Sequence, residues 1–329
     1  MHKIEDLLYL LKFFFINLFS LKSQNKITLN YANAHIARDG YYRGGRAKLN
    51  FLKKKFKQEE NFKYLYLVSS ALPNFVYLFV YLAKLFKKKI ILNQNGVAYP
   101  GWTSNHQKIN KKLRYVYENS DYIIFQSKFC KLSATKWLSK KKISHSIVYN
   151  PIKIRKKQNL NNKNFNLIVC GSHENKQRVF LALSLLKILI DKKQVFKLII
   201  AGPLVWENAQ KEVYKFIKDN NLKKNVILFG KYKQNQLSKL YFGKSILLHL
   251  KYNDPSPTVP LEAQSFGVPV ICSGSGGMRE LLTNNSAEII RIKRTWINNI
   301  YPKQYEIMNA VIKIKKNYRK YSLSSFKNS

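Results

Sequence analysis

The chain has 329 residues, 46% hydrophobic and 14% aromatic, which excludes general disorder and suits two domains of about 150 residues each. Its 59 Lys and Arg outweigh 17 Asp and Glu, a formal net charge of +42, so anionic partners are expected. The three cysteines, Cys130, Cys170 and Cys272, stand in no CxxC or His-rich setting, which excludes a zinc site or a disulfide framework and points to a reducing compartment.

Residues 1–22 form an N-terminal apolar segment. The run from Leu7 to Phe19, LLYLLKFFFINLF, is broken by Lys12 and is too short for a bilayer of roughly 30 Å. Glu5 and Asp6 ahead of it are unlike a signal peptide. Two readings stay open: a helix in the membrane interface, or a helix packed on the protein's own core. Residues 23–150 then alternate strand and helix. Strands are expected at 26–32, 63–69, 89–94, 121–127 and 144–150. Between them, helices are expected after the Gly44–Gly45 turn and at 74–86, 106–120 and 128–138.

Pro151 opens PIKIRKKQNLNNKNFN, polar and without an apolar period, so 151–164 reads as a linker. The alternation restarts in a second domain, 165–300. Its strands are expected at 165–171, 196–202, 225–230, 245–250 and 268–273, and its helices at 178–190, 207–220, 234–243 and 278–282. Residues 301–329 hold a last helix, 304–322, expected to cross back toward the first domain. Two doubly wound parallel sheets follow, with ligands expected at the carboxyl ends of the strands and in a cleft between domains.

The stretch NDPSPTVPLEAQSFGVPVICSGSGGMRELL (253–282) carries most of the functional signal. A helix starting near Thr258 offers free N–H groups to a phosphate. Glu262, about one turn in, accepts hydrogen bonds side by side and so suits a ribose diol. GSGG (274–277) is expected to bring bare backbone to the ligand. A dipole-favoured acid on an ordinary helix is the alternative, with the Glu262 pKa lowered.

Here the residues resemble the donor-site signature of retaining glycosyltransferases of the GT-B fold, family 4 (glycosyl transferases group 1). That family has an acid, seven residues, a Glu, a small-Gly-x-Pro-Val strand and a GG-x-x-E turn. The resemblance implies two facing Rossmann-like domains, with Asp254 contacting the donor sugar and Glu262 gripping the ribose. It places the amides of Thr258 and Val259 on the diphosphate and Gly276 and Gly277 in the donor site. GSHENKQRVFLAL (171–183) stands for the family's Gly-Arg-x-x-x-x-Lys turn, so Gly171 and Lys176 match. Ser172 and His173 stand where the arginine would be, with Arg178 as its substitute and His173 as a donor contact. Gly44 and Gly45 resemble the Gly-rich turn of the first domain. NQNGVAYPGW (93–102) supplies acceptor-side candidates Asn95, Gly96, Tyr99 and Trp102.

The implied reaction moves a sugar from a UDP- or GDP-linked donor to a saccharide or lipid-linked acceptor in cell-surface polysaccharide or lipopolysaccharide synthesis. No resident cofactor and no metal are expected: the sequence has no Asp-x-Asp, and Lys176, Arg178 and helix amides supply positive potential instead. Forty-nine of the 59 cations are Lys, whereas dedicated phosphate readers favour the planar fork of Arg. With no RRM, zinc-finger or basic-zipper pattern, no dedicated nucleic-acid partner is expected. Attraction to an anionic membrane surface is, placing the protein in the cytoplasm at the inner face of the plasma membrane. The alternatives are a non-catalytic basic scaffold that binds membrane or nucleic acid, or a GT-B epimerase or phosphorylase.

Overall fold

The computed structural model describes residues 2–19, 27–32, 45–153, 155, 164–283 and 285–328. The chain divides into two compact units, Met1–Pro151 with Thr295–Asn299, and Ile152–Arg294 with Ile300–Ser329.

The first unit runs α1 (His2–Leu18), β1 (Leu29–Asn30), α2 (Gly45–Lys55), β2 (Tyr64–Val68), α3 (Val76–Leu85), β3 (Lys89–Gln94), α4 (His106–Glu118), β4 (Tyr122–Phe125), α5 (Lys128–Trp137) and β5 (His145–Ile147). Its strands pair in parallel in the order β1-β2-β3-β4-β5. Alternation at period two divides their side chains between two cores. Leu65, Leu67, Ile90, Leu92, Ile123 and Phe125 pack with α3, α4 and α5, whereas Leu29, Tyr66 and Val68 meet Leu49 of α2. Helix α1 contributes Leu10 and Phe13 to the larger core. At about 1.5–3 kcal/mol for each buried side chain, those two suffice to seat it on the fold. α5 starts where Ser127 caps it, its Oγ accepting from the Cys130 amide at 2.9 Å.

The second unit runs β6 (Phe165–Cys170), α6 (Lys176–Asp191), β7 (Phe196–Ala201), α7 (Ala209–Asp219), β8 (Val226–Gly230), α8 (Leu237–Leu240), β9 (Lys244–His249), α9 (Val259–Gln264), β10 (Val270–Ser273), α10 (Met278–Leu281), β11 (Ala287–Ile290), α11 (Gln304–Lys316) and α12 (Tyr318–Asn328). The parallel sheet has the order β11-β10-β9-β6-β7-β8, so the winding reverses between β6 and β9. β6 is buried at every position, as the centre of a sheet covered on both faces must be. Leu167 and Val169 face the core with α6, α7 and α11, and Ile168 and Cys170 face the core with α8 and α9.

Residues 304–328 differ from expectation. They form two helices separated at Asn317, and Ile307, Val311, Ile314 and Tyr318 lie in the second unit's core instead of crossing back. The Tyr318 hydroxyl fixes this placement by accepting from the Ser245 amide at 2.9 Å and donating to the Ser245 carbonyl at 3.0 Å. The segment grouped with the first unit is Thr295–Asn299.

Candidate functional site

The winding reversal of the second sheet leaves the ends of β6 and β9 side by side, which is where ligands bind in such sheets. The chain leaves β6 through Gly171 at φ +107°, with open space where a Cβ would stand. β7 leaves through Gly202 at φ +111°, where a Cβ would lie 1.9 Å from the Gly171 carbonyl oxygen. Only glycine permits both turns to sit that close. Asn175 then caps α6, its side chain accepting from the Gln177 amide at 2.8 Å.

Arg178, one turn into α6, is buried, and its Nη2 donates to the Ser172 carbonyl at 2.7 Å. Burial lowers its pKa, while the charge of Asp254 and the neighbouring Tyr301 and Glu174 work to hold the proton. Lys176 is placed differently from what the resemblance implies. Its ammonium is largely exposed and pairs with Glu212 at 3.5 Å, in a depression also lined by Glu174 and Glu207. Three acids around it are a poor setting for a diphosphate. His173, expected as a donor contact, has no exposed surface. Its Nε2–H donates to the Ala201 carbonyl at 3.0 Å, which leaves Nδ1 buried without a partner. Burial, reinforced by Arg178, pushes its pKa down to about 4 against the pull of the Ala201 carbonyl.

β9 delivers His249 and then a loop that turns at Asn253, φ +47°. Asp254 is buried, accepting from His249 Nε2 at 3.2 Å, with Lys251 Nζ 3.4 Å away. Burial alone would raise the Asp254 pKa, but Lys251 and the His249 hydrogen bond outweigh it and hold the carboxyl well below its usual range. Burial lowers the His249 pKa despite the hydrogen bond to Asp254.

The GSGG turn also departs from expectation, because its close approach is made to the protein itself. A Cβ on Gly276 would fall 2.2 Å from the Asp254 carbonyl oxygen, and the Gly277 amide donates to that oxygen at 2.9 Å. Ser275 Oγ accepts from the Asn253 amide at 2.8 Å. These contacts stitch 253–254 to 275–277 as a shelf under Asp254.

α9 has Thr258 at its N-cap and Pro260 in its first turn. The Glu262 amide closes the first helical bond, to the Thr258 carbonyl at 2.8 Å. The amides of Val259 and Leu261 precede any intrahelical acceptor, and Pro260 has no N–H to leave over. Glu262 Oε1 accepts from Gln234 Nε2 at 2.8 Å. Its pKa is raised, not lowered: burial outweighs the Gln234 hydrogen bond and the charge of Arg155.

Lys251, Gln234 and Gly202 carry no signal in the 253–282 motif that would have singled them out. Lys251 is three residues from Asp254, the only local hint. Gln234 and Gly202 arrive from other strands' loops and become visible only once the sheet is assembled.

On the first unit, Gly44 lies outside the described residues, and Gly45 is the first residue of α2. Asn95 is tied into a polar network, its Nδ2 donating to Ser70 Oγ at 2.7 Å and its Oδ1 accepting from Gln126. The Gly96 carbonyl accepts from Gln94 Nε2 at 3.0 Å. Tyr99 is buried with its ring edge-on to Trp296 at 5.2 Å, so packing removes it from the acceptor candidates. Trp102 is exposed.

Residues 151–320 match the family model described as glycosyl transferases group 1. No curated protein matches the chain by sequence. Solved structures share the fold. HepE from Anabaena, in complex with UDP, aligns at 13% identity over 86% of this chain and 75% of its own, TM-score 0.66. A sucrose-phosphate synthase from Thermosynechococcus elongatus aligns at 13% identity over 86% of this chain and 70% of its own, TM-score 0.62. The lipopolysaccharide outer core galactosyltransferase WaaB aligns at 18% identity over 86% and 78%, TM-score 0.55.

Proposed function

Since this chain belongs to the glycosyl transferases group 1 family, we propose that it moves a sugar, with retention as in family 4, from a UDP- or GDP-linked donor to a saccharide or lipid-linked acceptor. The setting is cell-surface polysaccharide or lipopolysaccharide synthesis at the inner face of the plasma membrane. The observation that carries the donor reading is a buried cation, Arg178, on the same strand edge as Asp254 and the start of α9. As the C1–oxygen bond to the diphosphate breaks, negative charge grows on the leaving oxygen. A fixed guanidinium and the Val259 and Leu261 amides then stabilise it without reorganising. Of the two expected cations, Lys176 and Arg178, the buried Arg178 carries this part, and the protein's own cations supply the charge that a metal gives elsewhere. Glu262 binds the ribose hydroxyls once Gln234 yields, and Asp254, kept ionised, faces the sugar.

Calorimetric titration with UDP and GDP tests this reading. Removing a charged hydrogen-bond partner is worth about 1.5–3 kcal/mol, so Glu262→Ala should bind at least about tenfold more weakly than wild type. Equal affinity would take Glu262 out of the donor site. Because its pKa is raised, affinity should fall with pH as the carboxyl protonates, and Glu262→Gln should lose that part of the dependence. Slow hydrolysis across a panel of UDP-, GDP- and ADP-sugars identifies the donor, and the anomer released reports retention.

A further inference from the structure

The N-terminal helix is built inside out. The face of α1 turned to the protein carries Asp6 and Asn17 along with Leu10 and Phe13, all buried. Asp6 accepts from Asn74 Nδ2 at 2.7 Å, and Asn17 Nδ2 donates to the Phe13 carbonyl at 2.8 Å, while Asn17 Oδ1 is buried with no donor among the described residues. The opposite face presents Ile4, Leu8, Leu11, Phe15 and Leu18, spaced four, three, four and three apart as one stripe, with Leu8 62% and Phe15 55% exposed. A helix on a water-facing surface has the reverse arrangement.

The neighbouring helix also carries exposed apolar residues. α1 packs on α3 through the buried rings of Phe13 and Phe79, centroids 5.3 Å apart, and α3 exposes Leu78, Tyr81 and Leu85. Tyr77 of α3 meets Tyr115 of α4, ring centroids 4.8 Å apart. Exposed cations lie on the same helices: Lys84 on α3, and Lys108 and Lys111 on α4, two turns and one turn before Tyr115. No helix among the described residues is long and apolar enough to cross a membrane.

We infer that the α1/α3 face docks on an anionic lipid bilayer, with the α1 stripe lying in the headgroup–acyl boundary and Lys84, Lys108 and Lys111 on phosphate headgroups. The charge selects this occupant. A second copy at net +42 would bring lysine against lysine, whereas an anionic surface neutralises them. Contiguous apolar surface of this kind is otherwise rare on a soluble monomer. The face belongs to the first unit and owes nothing to the donor reading.

Flotation of the full chain with phosphatidylcholine vesicles containing about a quarter phosphatidylglycerol provides the test. Wild type should float with these vesicles at least about tenfold better than with phosphatidylcholine alone. Leu8→Ser/Leu11→Ser/Phe15→Ser should weaken flotation at least about tenfold, and so should Lys84→Glu/Lys108→Glu/Lys111→Glu, with UDP binding by calorimetry unchanged in both. Wild type that fails to float, or variants that float as well as wild type, would overturn the inference. So would a vesicle-free dimer that the serine variant dissociates, since a second copy would then be the occupant. If the serine variant misfolds, Phe15→Cys carrying a polarity-sensitive dye decides. The three native cysteines are buried, so labelling is selective. A blue shift on anionic vesicles supports docking, and an unchanged spectrum overturns it.

Discussion

The carboxyl edges of the two sheets share a strand-to-helix geometry and differ in chemistry. In the second unit the edge holds opposed charges, Arg178, Lys251 and Asp254, over turns at Gly202 and Gly276 that leave no room for a Cβ. In the first unit it holds neutral amides. Asn93 Nδ2 donates to Tyr66 Oη at 2.8 Å, Gln126 Nε2 to Asn93 Oδ1 at 2.7 Å, and Asn150 Nδ2 to Gln126 Oε1 at 3.0 Å. Buried Gln94 leaves its Oε1 without a donor among the described residues. An edge of fixed charges suits a group that is itself ionic, whereas amides exchange partners readily with hydroxyls. Side-chain charge is thus what separates the two edges chemically.

The comparison breaks most readily at the paired turns. Gly202→Ala adds strain at a positive φ, about 1–3 kcal/mol, to overlap with the Gly171 carbonyl of similar size. A loss of about 4 kcal/mol in urea unfolding is expected, and a change within error would mean that the turns are not in contact. Next, Arg178→Met should lower kcat/KM by about 10²–10³, as when a preorganised donor to a developing charge is removed. Lys176→Met, exposed and paired with Glu212, should lower it by less than about fivefold. Similar losses from the two would return Lys176 to the donor site.

Buried His173 supplies the third test, a pH dependence peculiar to the charged edge. Its folded pKa, about 4, lies below an unfolded value near 6.5, so the unfolded chain binds the extra proton. Its neutral form adds no penalty above about pH 6.5. As pH falls from there toward 4, stability should drop by about 3 kcal/mol, and His173→Gln should flatten that slope in urea titrations. The smallest effect belongs to the neutral edge. Gln126→Ala removes the donor to Asn93 Oδ1 and the acceptor of Asn150 Nδ2 and should cost about 1–3 kcal/mol. Unlike the loss at His173, it should not vary with pH, and a pH-dependent loss would mean the two edges are not chemically distinct.

Much of the architecture is legible along the chain because buried parallel strands read as unbroken apolar runs, as in FNLIVC at 165–170. β11 escapes such a reading. It lies at the sheet's end, is four residues long, and three of the four are only half buried, so no apolar run marks it. The α9 motif points to the right edge of the right sheet, since glycines and prolines mark turns locally. What cannot be read there is which groups arrive from elsewhere: Lys176 and Arg178 differ by two positions, and only the helix phase sends one to solvent and one inward. The inward turn of His173 likewise depends on the Ala201 carbonyl of a neighbouring strand.

Trp296 stacks on Phe129 at 5.5 Å and meets Trp137 at 6.1 Å, yet its covalent neighbours before 295 and after 299 belong to the other unit. Neither unit is therefore a contiguous gene segment. A fragment stopping at Pro151 would lack the indole that completes its aromatic cluster, and one stopping at Arg294 would lack α11 and α12. After a protease nick between Pro151 and Ile152, Trp296 on the second fragment would still pack on Phe129 and Trp137 of the first.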